Sequence, residues 1–300
     1  MSQLFTLVQA APSTGGQAGL GWIPDLPDFR DYTQESPEIH ALLEATGSTT
    51  APPALPKSVD LRPWCSPVED QGHIGACTAH AGVALIEYFE RRAFGRYVDA
   101  SRLFLYKATR NFLRWTGDTG AYLRATMGAM ALFGVPPEEY WPYDPTHFDK
   151  EPPAFCYAFA QSFQALTYYR LDPPGTRRTQ LLKDVKTKLS ASLPAMFGFT
   201  VYSSIMQAST NGEIPFPSTG EKILGGHAVV VVGYDDDKVV KHCGTGAQTK
   251  GALLIRNSWG TAWGQSGYGW LPYEYVLKGI AEDFWSLVKN EWIETGAFKA

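Results

Sequence analysis

Cysteine is scarce in this chain. Four of the 300 residues carry a thiol, Cys65, Cys77, Cys156 and Cys243, too few for a disulfide scaffold of this length. No two of them form a CxxC pair, so no structural zinc motif is read. If Cys77 is kept free, at most one bridge can form among the other three. Long apolar runs are missing too. None reaches the roughly 18 residues of a membrane span, and the longest lie near residues 229–232 and 252–255. Basic residues are not clustered, and the net charge of −4 leaves no footprint for nucleic acid. The N-terminal apolar patch has no Lys or Arg ahead of it, as a secretory signal would, and no compartment is assigned. No internal repeat is found, and no cofactor or metal is implied. The run Asp235-Asp236-Asp237 is read as a solvated turn in preference to a calcium loop.

What is present is an ordinary globular composition. At 44% hydrophobic it can fill sizeable cores, and its length suits two domains of roughly 150 residues. Residues 1–21 show no sustained period. Residues 21–33 read as an extended segment on a surface, Ser36-Pro37-Glu38 as a helix start, and 47–57 as a linker. Residues 101–112, 123–133 and 180–191 have helical patterns. From 194 onward, short β-branched or aromatic runs at 194–202, 227–234, 251–256 and 268–272 read as strands. Helices first and strands later imply an α+β protein with unlike halves and a cleft between them.

The stretch from Gln71 to Glu90 organises the chemistry. From Cys77 the apolar residues Ala81, Ala84, Leu85, Tyr88 and Phe89 recur at helical steps, and Gly95 suits the stop. Cys77 therefore falls in the first turn, where free N–H groups and the helix dipole favour an anion. Its thiol is expected to ionise more easily than a free one. Such a nucleophile needs a base, a group to orient that base, and donors for an oxyanion. His227 opens the valine strand after Gly225-Gly226. Asn257 follows the strand at 251–256 and leads into Ser258-Trp259-Gly260. An amide beside an aromatic ring can hold an imidazole in one orientation. The competing structural readings are a small buried thiol at Cys77, a turn-capping Gln71 and core tryptophans at 259 and 263.

The blocks around Cys77, His227 and Asn257 resemble the papain family of cysteine peptidases, the cathepsin-like enzymes. His227 lies 150 residues after Cys77 and Asn257 lies 180 after it. The family spacing is roughly 130–150, and an insertion at 236–249 accounts for the excess. Ser58-Val59-Asp60-Leu61-Arg62, the tract from Phe133 to Tyr143 and the block from Asn257 to Gly264 extend the resemblance over most of residues 58–285. It implies a papain-like two-domain fold: a propeptide-like extension and linker (1–57), a helical left domain (58–165) and a β-barrel-like right domain (166–300). It implies Cys77 as nucleophile, His227 as acid and base, Asn257 orienting His227 with Trp259 shielding that bond, and Gln71 with the Cys77 N–H as oxyanion donors. Thr119-Gly120 takes the place of the glycine pair that binds the substrate backbone, and Gly226 stands beside His227. Asp283 or Glu282 near the floor of the specificity pocket would accept a basic P2 side chain as well as an apolar one.

The resemblance further implies a monomeric hydrolase made as a zymogen, with polypeptide substrates and protein inhibitors as partners. The family is usually secreted or lysosomal. A catalytically idle papain-like binding protein, or an acyl transferase using the same residues, remains the alternative. The chain departs from the family in three places: Thr78 follows the nucleophile, Ile74 replaces a cysteine, and Gly226 stands before the histidine, where it is expected to alter the pH profile. Residues 1–57 do not match the family's helical propeptide. The apolar segment 21–33, with Trp22, Ile23, Leu26, Phe29 and Tyr32, is expected to lie near the cleft and limit access.

Overall fold

The computed structural model describes residues 8–9, 17–26, 28–49, 54–163 and 167–298. A two-residue ladder, β1 (Val8–Gln9) with β2 (Gln17–Ala18), and helix α1 (Pro37–Ala45) precede the main body. Residues 1–7 and 10–16 of the N-terminal stretch, and 50–53 of the linker, lie outside the described ones. Then come β3 (Ser58–Asp60), α2 (Cys77–Phe94), α3 (Arg102–Phe112), α4 (Leu123–Phe133) and α5 (Ala154–Ala160). The second half holds β4 (Thr167–Arg170), α6 (Arg178–Ser190), β5 (Ala195–Tyr202), α7 (Ala208–Asn211), β6 (Ile223–Lys241), β7 (Gln248–Arg256), β8 (Tyr268–Pro272), α8 (Tyr273–Leu277), β9 (Ala281–Val288) and α9 (Asn290–Ile293). The α+β class read from the patterning is the class observed.

Helix α2 is the axle of the molecule. It ends where Gly95 adopts φ 72 and donates its N–H to the Arg91 carbonyl at 2.8 Å. Every residue from Cys77 to Phe89 is buried, because α3 and α4 cover one side and β5 and β6 the other. Even Glu87 is inside, paired with Arg102 of α3 at 2.9 Å. Ser101 caps α3 by accepting from the Phe104 N–H at 3.1 Å. The last helix returns to this half, and Trp292 stacks on Phe89 at 5.2 Å.

The strands form one antiparallel sheet in the order β4-β9-β5-β6-β7-β8, with β3 also paired to β6. The sheet is open, so the barrel-like description of the right half is corrected. Its outer strands meet segments distant in sequence instead of each other: Thr33 bridges Arg170 on β4, and Glu213 bridges Trp270 on β8. A strand edge already satisfied this way has no pull toward closure. The insertion at 236–249 is the tip of a β6–β7 hairpin. There Asp236 meets Lys186 at 2.6 Å and Asp237 meets Lys250 at 2.8 Å. All four cysteines are unbridged. Among the described residues no helix is long and apolar enough to cross a membrane, and no group of acids, histidines and cysteines is placed to hold a metal.

The two halves meet along α2 and β6, and the N-terminal segment runs through the groove between them. Residues 18–22 are buried there. Of the five apolar residues read as anchors only Trp22 is deeply buried, whereas Leu26 and Phe29 are 84% and 94% exposed. The 25–31 stretch is instead held by charge: Arg124 of α4 meets Asp25 at 2.5 Å and Asp31 at 2.7 Å, and donates to the Leu26 carbonyl at 2.8 Å.

Candidate active site

Cys77 is the first residue of α2 and is fully buried. The backbones of Ala228, Gly21, Thr78 and Cys77 itself favour the charged form of its thiol. They do so as a helix N-terminus should, but burial outweighs them and pushes the thiol up to about 12. The easy ionisation expected from the helix end is therefore absent in this form. Residues 18–22 of the N-terminal segment are buried in the same groove.

His227, on β6, is likewise fully buried, and burial lowers its pKa to about 4. Its Nε2–H donates to Asn257 Oδ1 at 2.7 Å, and Nδ1 is left without a partner. That assignment follows from Asn257 Oδ1 also accepting the Ser258 N–H at 2.8 Å, which identifies it as the oxygen. Trp259 stacks on the imidazole at 4.5 Å and packs edge-on against Trp263 at 5.6 Å. The ring thus covers the His227–Asn257 bond. In this form burial disfavours charge on both thiol and imidazole.

Gln71 is buried in the loop before α2. Its Nε2 donates to the carbonyls of Gly19 at 3.0 Å and Ile74 at 2.9 Å. Its Oε1 accepts from Ser258 Oγ at 2.6 Å, and its backbone N–H donates to the Ser258 carbonyl at 2.8 Å. Ser258 therefore ties the Gln71 loop to the Asn257 turn across the two halves. Sequence reasoning did not single it out, although it lies inside the block from Asn257 to Gly264.

The substrate-binding candidates divide. Thr119 turns its hydroxyl onto the Gly120 carbonyl at 3.1 Å. Gly120, at φ +68, lets the segment come close, since a Cβ there would stand 2.1 Å from the Gly21 carbonyl oxygen. The strand-like bonds themselves run through Ala121: its N–H donates to Gly21 at 2.8 Å, and its carbonyl accepts from Ile23 at 3.2 Å. Position 121 was missed because any residue can supply backbone groups. Gly226 accepts the Trp22 N–H at 3.1 Å. Asp283 is fully buried and accepts from Trp22 Nε1 at 3.1 Å. The sequence-read residues on both sides of the groove thus border the N-terminal segment or the His227–Asn257 pair, except Thr119 and Glu282, the latter paired with Arg178 at 3.4 Å.

Comparison with known proteins identifies the family. Residues 55–284 match the family described as papain family cysteine protease. A peptidase C1-like protein of Acanthamoeba polyphaga mimivirus is 30% identical over 276 residues, covering 88% of this chain and 85% of that one. Cathepsin L of Sarcophaga peregrina is 30% identical over 74% of this chain, which spans 61% of the cathepsin's length. The structure of xylellain, a cysteine protease from Xylella fastidiosa, superposes with a TM-score of 0.71 at 33% identity, covering 91% of this chain and 97% of that one. The chain belongs to the papain family of cysteine peptidases.

Proposed function

We propose that this peptidase cleaves peptide bonds through a thioester on Cys77, and that its 1–57 extension, through the buried residues 18–22, holds a helical half (58–165) and a β-rich half (166–300) in a closed, inhibited form. The observation that carries the reading is the imidazole. Nε2–H is committed to Asn257 at 2.7 Å, so Nδ1 is the nitrogen free to exchange a proton. The backbone of Ala228, the next residue on the strand, is among the groups that favour the Cys77 thiolate.

In the forward reaction the sulfur attacks the substrate carbonyl carbon. The carbon–nitrogen bond breaks, and the His227 proton goes to the leaving amine. Water then attacks the thioester, giving its proton to Nδ1 while the thiolate departs. The Gln71 side-chain N–H and the Cys77 backbone N–H supply the oxyanion donors. Asn257 keeps the ring oriented, and Trp259 keeps water from that bond.

The segment is a poor substrate for this machinery. Its Gly21 backbone is among the groups that favour the thiolate, and its Gly21 carbonyl accepts from the Ala121 N–H at 2.8 Å. One of the oxyanion donors, Gln71 Nε2, is occupied by Gly19. Departure of the segment readmits water, removes the burial that keeps the thiol neutral, and lets the helix end and the imidazole favour the ion pair.

Labelling by an epoxysuccinyl inhibitor tests this directly. One equivalent should attach to the intact chain and to Trp22→Ala, faster in the latter, and none to Cys77→Ala. Peptides should be cut, with free acid as the product. A chain unlabelled at Cys77 in both forms would sink the peptidase reading, and incorporation of an added amine into the product would reassign it to acyl transfer.

A further inference from the structure

The Trp22 side chain leaves the groove for a pocket in the β-rich half. Two glycines make its flat wall. A Cβ on Gly198 of β5 would stand 1.9 Å from Trp22 Cε2, and one on Gly226 would stand 2.8 Å from Cε3. At the far end the indole N–H meets Asp283 Oδ2 at 3.1 Å. The other oxygen is already engaged, by Trp285 Nε1–H at 2.7 Å and by Arg170 Nη1 at 3.2 Å. Asp283 has φ 65, and its backbone N–H donates to Asp172 Oδ2 at 2.7 Å. The acceptor is therefore aimed by the fold and does not depend on a guest to orient it.

We infer that this pocket, resting on the peptidase reading above, selects an indole at P2, the second residue before the scissile bond, and that Asp283 sets the selection. Shape favours a broad flat ring, because Gly198 and Gly226 set no side chain against its face. Charge decides against a basic guest. Around the pocket stand Asp25, Asp31, Asp172 and Asp283 with Arg124 and Arg170. Asp25 and Asp31 belong to the covering segment and leave with it. Two arginines then face two aspartates, so no unpaired negative charge remains to offset the desolvation of a lysine or guanidinium. Burial also pushes Asp283 up to about 7, so it carries less than a full charge at neutral pH. A neutral N–H loses little on entering and finds an oriented acceptor. Glu282, the other acid read from the sequence, is part-exposed and paired with Arg178 at 3.4 Å. The basic P2 preference expected from the sequence is thus replaced by an aromatic donor.

The test uses the full chain carrying Trp22→Ala, which empties the pocket, and a set of fluorogenic peptides varied only at P2. Trp should exceed Arg and Lys in kcat/KM by roughly tenfold or more, and should exceed Phe. Adding Asp283→Ala should erase the advantage of Trp over Phe while Phe is still cut. Adding Gly198→Ala should exclude Trp and spare Val. Turnover with Arg equal to or above Trp would overturn the pocket inference and leave the peptidase reading standing. If no peptide is cut, binding of the same peptides to Cys77→Ser/Trp22→Ala by calorimetry decides: tight Trp and weak Arg would uphold the pocket while the peptidase reading falls, and equal binding would overturn the pocket too.

Discussion

Removing the Trp22 indole should open the site. The ring is 3% exposed, lies flat on Gly198 and Gly226, and donates to a buried carboxylate. Truncating a buried tryptophan to alanine costs about 3–5 kcal/mol. Here the vacated space can refill with water, so about 3 kcal/mol is the appropriate figure. At about 1.4 kcal/mol per tenfold, the open fraction should rise roughly 100-fold. The assay is the second-order rate of epoxysuccinyl inactivation of the intact chain, with thermal unfolding followed in parallel. Gly21→Ala is an independent route to the same result. Its Cβ would stand 2.0 Å from the Gly75 carbonyl oxygen, so the segment must lift although no pocket residue changes. Both variants should label much faster than wild type while the main unfolding transition stays in place. Rates within about threefold of wild type for both would refute the idea that this segment gates Cys77.

Charge supplies a smaller part of the closure. Arg124 is about a quarter exposed, so Arg124→Ala should loosen the 25–31 stretch by about 1 kcal/mol. Labelling should quicken about fivefold, and high salt should accelerate wild type but not the variant. Gln71→Ala in the Trp22→Ala background should lower kcat by roughly 10²- to 10³-fold, while alkylation by iodoacetamide, which forms no oxyanion, changes little. His80 gives a pH test. It is buried against Tyr143 at 4.8 Å, and burial lowers its pKa to about 3, so below about 6.5 the unfolded chain takes up a proton that the folded chain refuses. Stability is then lost as pH falls from about 6.5 toward 3, by up to about 1.4 kcal/mol per unit. Urea midpoints of His80→Phe should fall less steeply than wild type over that window, and parallel curves would remove His80 from the balance.

The sequence by itself determined the fold class, the start of α2 at Cys77 and its stop at Gly95. Those follow from local periods, caps and glycine, which act over a few residues. His227 and Asn257 were also legible, because strand starts and the Asn257–Gly264 block carry a dense local pattern. Other features exist only in three dimensions. Whether Cys77 is a thiolate depends on what covers it, and the covering chain is 56 residues upstream. Ala121 contributes backbone groups that leave no mark in a sequence, and Ser258 matters only because two loops meet at it. The open sheet reflects edges capped by distant bridges. Trp22 meets Asp283 across 261 residues of chain, and no pattern within either segment announces that contact. Burial, charge balance and pocket shape are properties of everything packed around a group, so they are decided when the chain closes on itself.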